Sequence, residues 1–100
     1  MAQGGQVFTV TLEANRAKRV LGDNAERASF SFKNLGSTAA YYGFNSNVAT
    51  SGKDKGWEIS ASGGSINNIV WEGEVWIIST AAVEITVEEL NGAQRVKVIV

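Results

Sequence analysis

Val7-Phe8-Thr9-Val10-Thr11-Leu12 is the stretch from which the fold is read. Successive side chains of an extended strand point to opposite faces, so Phe8, Val10 and Leu12 share one side and Val7, Thr9 and Thr11 the other. One side is wholly apolar and the other mostly polar and β-branched. This predicts a strand of about seven residues with one face buried and one wet, the antiparallel pattern.

Residues 27–33 repeat the device, with Ala28, Phe30 and Phe32 facing in and Ser29, Ser31 and Lys33 facing out. Between the two, residues 17–21 read as a short strand that ends at Gly22, and Asp23-Asn24 supplies turn chemistry. Asn34-Leu35-Gly36-Ser37 turns the chain, and residues 39–44 return as a strand carrying Tyr41, Tyr42 and Phe44. Residues 45–56 are polar almost throughout, with Val48 as the one sizeable apolar side chain, and form an exposed loop of about a dozen residues. Residues 57–59, 66–71 and 74–79 are further short strands, separated by a turn at Gly63-Gly64 and by Glu72-Gly73.

Asn91-Gly92 is the preferred pair for a two-residue hairpin turn, and alternating residues flank it. As a hairpin it sets Val83 opposite Val100, Ile85 opposite Val98, Val87 opposite Val96 and Glu88 opposite Arg95. A slip of one residue would bring valines against Lys97 and Arg95, so turn and pattern fix the same register.

No segment longer than about ten residues shows a helical period, and the 100 residues suffice for one core. The fold class is therefore all-β: a small antiparallel β-sandwich, jelly-roll-like or barrel-like, of eight or nine short strands with no significant helix. One domain spans residues 1–100, with 1–5 as a flexible start and 91–100 as a terminal hairpin strand.

Composition excludes much chemistry. Nine basic and ten acidic residues are spread along the chain, which offers nucleic acid no positive field. No apolar run reaches the length of a membrane span, and residues 1–5 lack the features of a signal peptide, so the chain is expected to stay in the cytoplasm where it is made. With neither cysteine nor histidine, disulfides, thiol nucleophiles, imidazole catalysis and the usual zinc sites are unavailable. No enzyme activity, cofactor or metal is expected. Proline is also missing, so the sheet edges need another guard.

Several constellations admit a functional and a plainer reading. Glu72 with Glu74, and Glu84 with Glu88 and Glu89, have the carboxylate pairing glycosidases use, but solvated charge beside turns explains them better. Trp57, Trp71 and Trp76, with Tyr41 and Tyr42, would suit stacking on sugar rings; filling the core or a subunit contact is the favoured reading. Asp23, Asn24, Asn45, Asn47 and Asp54 lack the spacing of a calcium loop. Arg16, Lys18 and Arg19, followed by Arg27, read as a solvated face.

The order of landmarks carries a resemblance. Val20-Leu21-Gly22-Asp23-Asn24-Ala25-Glu26-Arg27, Phe30-Ser31-Phe32-Lys33-Asn34-Leu35-Gly36, Tyr41-Tyr42-Gly43-Phe44, Trp71-Glu72-Gly73-Glu74-Val75-Trp76 and Val87-Glu88-Glu89-Leu90 together resemble small β-sandwich virion proteins of tailed bacteriophages. These are of the capsid decoration or cement, head-fibre base or neck type, and the likeness covers about residues 7–90. It implies a non-enzymatic protein of the virion, packed against the major capsid protein or another virion protein. The chain departs from that outline after Leu90, where Asn91-Gly92 leads into a further strand. A homo-oligomer in which bare edges are shared is expected. The candidate contact residues are Val48, Lys53 and Lys55 in the long loop and Arg95, Val96, Val98 and Val100 in the terminal strand. The competing readings are a carbohydrate-binding module on a phage fibre or secreted enzyme, a neck or tail component and, last, a hydrolase working through carboxylates.

Overall fold

In the computed structural model, which describes residues 4–92, alternation of apolar and polar side chains produces eight strands. They are β1 (Gly4–Leu12), β2 (Lys18–Leu21), β3 (Arg27–Asn34), β4 (Ala40–Gly43), β5 (Trp57–Ile59), β6 (Ser65–Ile69), β7 (Val75–Ser79) and β8 (Val83–Asn91). A single 3-10 turn, Gly52–Asp54, is the only helical element among the described residues. The all-β antiparallel sandwich expected from the pattern is what forms.

One sheet has the order β1-β8-β3-β6 and the other β2-β7-β4-β5, antiparallel throughout. Strand β1 thus pairs with β8, β2 with β7, β3 with β6 and β4 with β5. The chain is folded back on itself as one long ribbon, and the ribbon is rolled so that successive pairs alternate between sheets. That is the eight-stranded jelly roll. Leu12 pairs with Val83 and Lys18 with Ile77, so five residues separate the two pairs on each arm and the ribbon crosses between sheets without slipping.

Leu12, Phe30, Phe32, Val83, Ile85 and Val87 of the first sheet face Val20, Leu21, Ala40, Tyr42, Ile59, Val75 and Ile77 of the second. Phe30, Phe32 and Tyr42 meet at ring distances of 5.0–6.0 Å, mostly edge to face, a favoured arrangement for aromatic rings. Phe8 and Val10 close the same layer, as their alternation predicts.

Three breaks of register modify the simple alternation. In β2 the break between Arg19 and Leu21 lets the consecutive Val20 and Leu21 both point inward. Across β3 and β6 a second break brings both Ile66 and Ile69 against the core, while Asn68 between them takes a φ of 60° and donates its N–H to Ser31 Oγ. The third lies between Arg27 and Ser29: Ala28 is the extra residue, and Arg27 comes to sit opposite Asn91, on the inward side of β8. Ala28 is only half-buried, and its expected inward place is taken by Arg27.

Two sequence expectations change. Gly4 and Gly5 are not a loose end but the start of β1, paired with Asn91 and Leu90. Strand β8 is central, bound by β1 on one edge and by β3 on the other over nearly its whole length. Val83, Ile85 and Val87 therefore pair with Leu12, Val10 and Phe8, and Glu88 with Val7 and Ser31, rather than with a hairpin partner. The proposed turn reaches the described residues only at Asn91 and Gly92; Arg95, Val96, Val98 and Val100 lie outside them.

Candidate functional site

The register places the connections 22–26, 44–56 and 70–74 at one end of the sandwich, together with Gly4 and Gly92. That end is built on a buried polar cluster. The Arg27 guanidinium is 0 % exposed; its Nε donates to Glu89 Oε2 at 2.8 Å. Its Nη1 donates to the carbonyls of Trp71 and Gly73, both at 2.9 Å, and its Nη2 to that of Gly22 at 2.6 Å. Glu89 accepts further hydrogen bonds from Gln6 Nε2 at 2.7 Å and from Asn24 Nδ2 at 3.2 Å. Burial alone would raise the Glu89 pKa, but the donors around it and the Arg27 charge prevail and hold it below the ordinary carboxylate value.

This cluster is what sequence reading missed, because Arg27 was assigned to a solvated basic face and no acid was expected to be buried. Asn24, Arg27, Trp71, Gly73 and Glu89 all come from the landmarks that carried the family resemblance, and the fold gathers them into one tie between the two sheets. A carboxylate with a lowered pKa, saturated by donors, is fitted to hold structure rather than to donate a proton. The other basic side chains among the described residues are exposed and dispersed: Arg16 pairs with Glu13 and Arg19 with Glu74, while Lys18 lies 3.5 Å from the carbonyl of Thr11. Glu74 is held below the usual carboxylate range by the hydrogen bond from Trp76 Nε1, with burial opposing and Arg19 adding to the effect. Among the described residues no group of three acidic side chains is arranged to hold a metal ion.

Above the cluster lies the long connection 44–56. It is a rigid structure of its own, since the Ala49 N–H bonds the Asp54 carbonyl, the Gly56 N–H the Ala49 carbonyl and the Lys55 N–H the Gly52 carbonyl, at 2.9, 3.0 and 3.2 Å. Val48, predicted as a contact residue, is buried and pins the loop to the sheet. Its side chain occupies the space left by two glycines: a Cβ on Gly43 would come within 2.9 Å of Val48 Cγ2, and one on Gly56 within 2.6 Å. Lys53 and Lys55 are exposed, with Lys55 Nζ 5.4 Å from the Tyr41 ring centre.

Of the two places the favoured sequence reading gives the tryptophans, the core or a subunit contact, the first is not taken, for none is buried in the core. Trp76 is half-buried, Trp71 is exposed and Trp57 is 66 % exposed. Phe44, also exposed, packs against Trp71 with ring centres 4.6 Å apart and planes tilted by 41°, and the Trp71 ring lies over Gly73, where a Cβ would approach it to 2.8 Å. Phe44, Trp57, Val70 and Trp71 are thus surface residues at the same end as the long loop. A cavity of about 140 Å³ is bounded there by Tyr42, Phe44, Asn45, Asn47, Asp54 and Trp57, among others.

In comparisons with known proteins, no family model matches the chain, and no curated protein or solved structure matches it.

Proposed function

We propose that the chain is a non-enzymatic structural protein of a tailed-bacteriophage virion, a capsid-associated decoration or cement protein that works by packing against the major capsid protein and against its own copies. The likeness of its landmarks to such proteins supports this reading, and the rigid, doubly tied jelly roll suits a part repeated many times over a particle surface.

One structural observation carries the packing role. Among the described residues strand β1 is the edge of its sheet for nine residues, and it contains neither proline nor a charged side chain, the two common guards of an exposed edge. Beside it Val7 is 65 % exposed, and Leu90 lies over Gly5, whose Cβ would stand 2.9 Å from Leu90 Cδ2. An open edge flanked by exposed aliphatic side chains is the surface through which two copies extend one sheet across a shared boundary.

Mass spectrometry of purified particles tests the role. Copies in the hundreds signify decoration and about a dozen a neck or tail position, because copy number follows the symmetry of the location. Absence of the protein from particles defeats the proposal. Sedimentation of the isolated chain tests the edge: Val7→Lys is expected to abolish self-association that the parent chain shows, and a parent that is monomeric at all concentrations removes the shared-edge argument.

A further inference from the structure

We propose that the cavity beside Trp57 is a binding site for a neutral glycan, with one pyranose ring stacked on the Trp57 indole and its hydroxyls held by the loop 44–56. Four features of the site converge on this ligand.

First, Trp57 is unlike the other two tryptophans. The indole N–H of Trp71 donates to the carbonyl of Glu74 at 3.0 Å and that of Trp76 to Glu74 Oε1 at 2.9 Å. Trp57 Nε1 has no hydrogen-bond partner among the described residues, its ring packs against no other ring, and it is the most exposed of the three. Its burial does not account for its place on edge strand β5. The C–H-lined face of a pyranose is the complement of such a surface, apolar in the middle and able to accept a hydrogen bond at the rim.

Second, the polar groups around the cavity are uncommitted. Asn45 uses its Oδ1 to accept the Asn47 N–H at 2.8 Å, which leaves its Nδ2 free. The Asn47 amide and the Asp54 carboxylate make no side-chain hydrogen bond among the described residues. Amides and a carboxylate beside an aromatic face offer the paired donors and acceptors that vicinal hydroxyls require.

Third, the lining includes one Asp and one Lys, Asp54 and Lys55, so its charges cancel and favour an uncharged ligand over a phosphate or a cation. Fourth, the loop is already ordered by its own hydrogen bonds and by Val48, so a ligand meets a preformed arrangement and little ordering cost is set against binding. Strand β5 borders the second sheet and β1 the first, so this site and the proposed subunit edge lie on different strands and the two proposals fail separately.

The test is titration of the isotope-labelled chain with soluble maltohexaose, cellohexaose and chitohexaose, following the three indole N–H resonances, with affinities taken from calorimetry. A member of the panel is expected to shift Trp57 and leave Trp76 in place. Trp57→Ala should weaken that binding by about tenfold or more, the loss of one stacking contact with its desolvated area, while Trp57→Phe retains part of it. Asn47→Ala should weaken it with the melting temperature unchanged, which separates ligand contact from folding. Equal small shifts at all three tryptophans, binding unaffected by Trp57→Ala, or no shift with any of the three sugars at millimolar concentration would each overturn the proposal. Saturation of Trp57 by a protein partner, with no response to sugar, would overturn it as well.

Discussion

Arg27 Nε and Glu89 Oε2 lie 2.8 Å apart in the interior, the guanidinium wholly enclosed and the carboxylate nearly so. Three more N–H groups of the guanidinium are taken by carbonyls of the connections between the sheets, at Gly22, Trp71 and Gly73. The pair is therefore a fastener between sheets as much as an ion pair. At the other end of the same strand, buried Asn34 plays the matching part: its Nδ2 donates to the carbonyls of Thr38 and Ile59 at 2.9 and 3.1 Å, and its Oδ1 accepts the Gly36 N–H at 2.8 Å. Strand β3 is tied at both ends by a polar side chain.

Removing one partner of the ion pair leaves an uncompensated buried charge. Arg27→Met is expected to destabilise the fold by about 3–5 kcal/mol, and Arg27→Met combined with Glu89→Leu by less than the sum of the two single changes. Urea unfolding of the three variants measures this, and strict additivity would show that the two residues do not act as a unit.

Acid should loosen the same cluster. Glu89 has a lower pKa in the folded chain than its ordinary value of 4.5, so its contribution is complete above about pH 4.5 and is lost as pH falls through the folded value. The sign is that of a depressed carboxylate: the unfolded chain binds the proton first, and stability falls on acidification. Thermal melts from pH 6 downward should show this decline in the parent chain and a shallower one in Glu89→Gln, whose side chain does not titrate.

The long loop depends on absent side chains. A Cβ on Gly56 would stand 2.5 Å from the Tyr42 carbonyl oxygen, a backbone atom that cannot step aside, whereas one on Gly22 would meet nothing within 4 Å. Gly56→Ala is expected to cost roughly 1–3 kcal/mol in chemical unfolding, as overpacking does, and Gly22→Ala to stay within about 0.5 kcal/mol. Equal effects at the two positions would count against a packed loop.

Asn34→Ala removes the donor for two carbonyls at the closed end of the sandwich. Each acceptor left without a partner costs roughly 1–3 kcal/mol if water does not reach it, so a loss at the upper part of that range is expected. Hydrogen exchange at Gly36, whose N–H bonds Asn34 Oδ1, should accelerate in the variant and provides a local check.

Much of the fold was legible because strand alternation is a local property. The faces of β1, the short strand at residues 57–59, the turn at Gly63 and the antiparallel two-layer class all follow from neighbouring residues. The site was legible only in part. Residues 45–56 were recognised as the long connection, but Val48, singled out as a contact, is the residue that fastens it. Size alone places the tryptophans in the core or at a subunit contact, and the core is not their place because Phe30, Phe32 and Tyr42 already fill the space between the sheets.

The sequence by itself determined that the chain folds as strands with one buried and one wet face, the pattern of antiparallel sheets, because a period of two sends alternate side chains to opposite faces. Only the tertiary structure decided which strands are neighbours, since pairing β1 with β8 joins residues about eighty positions apart that carry no local sign of each other. It also decided what the breaks of register do. One extra residue at Ala28 turns Arg27 from a surface cation into the buried partner of Glu89, and parity counted along a single strand cannot show where the opposite strand inserts or omits a residue.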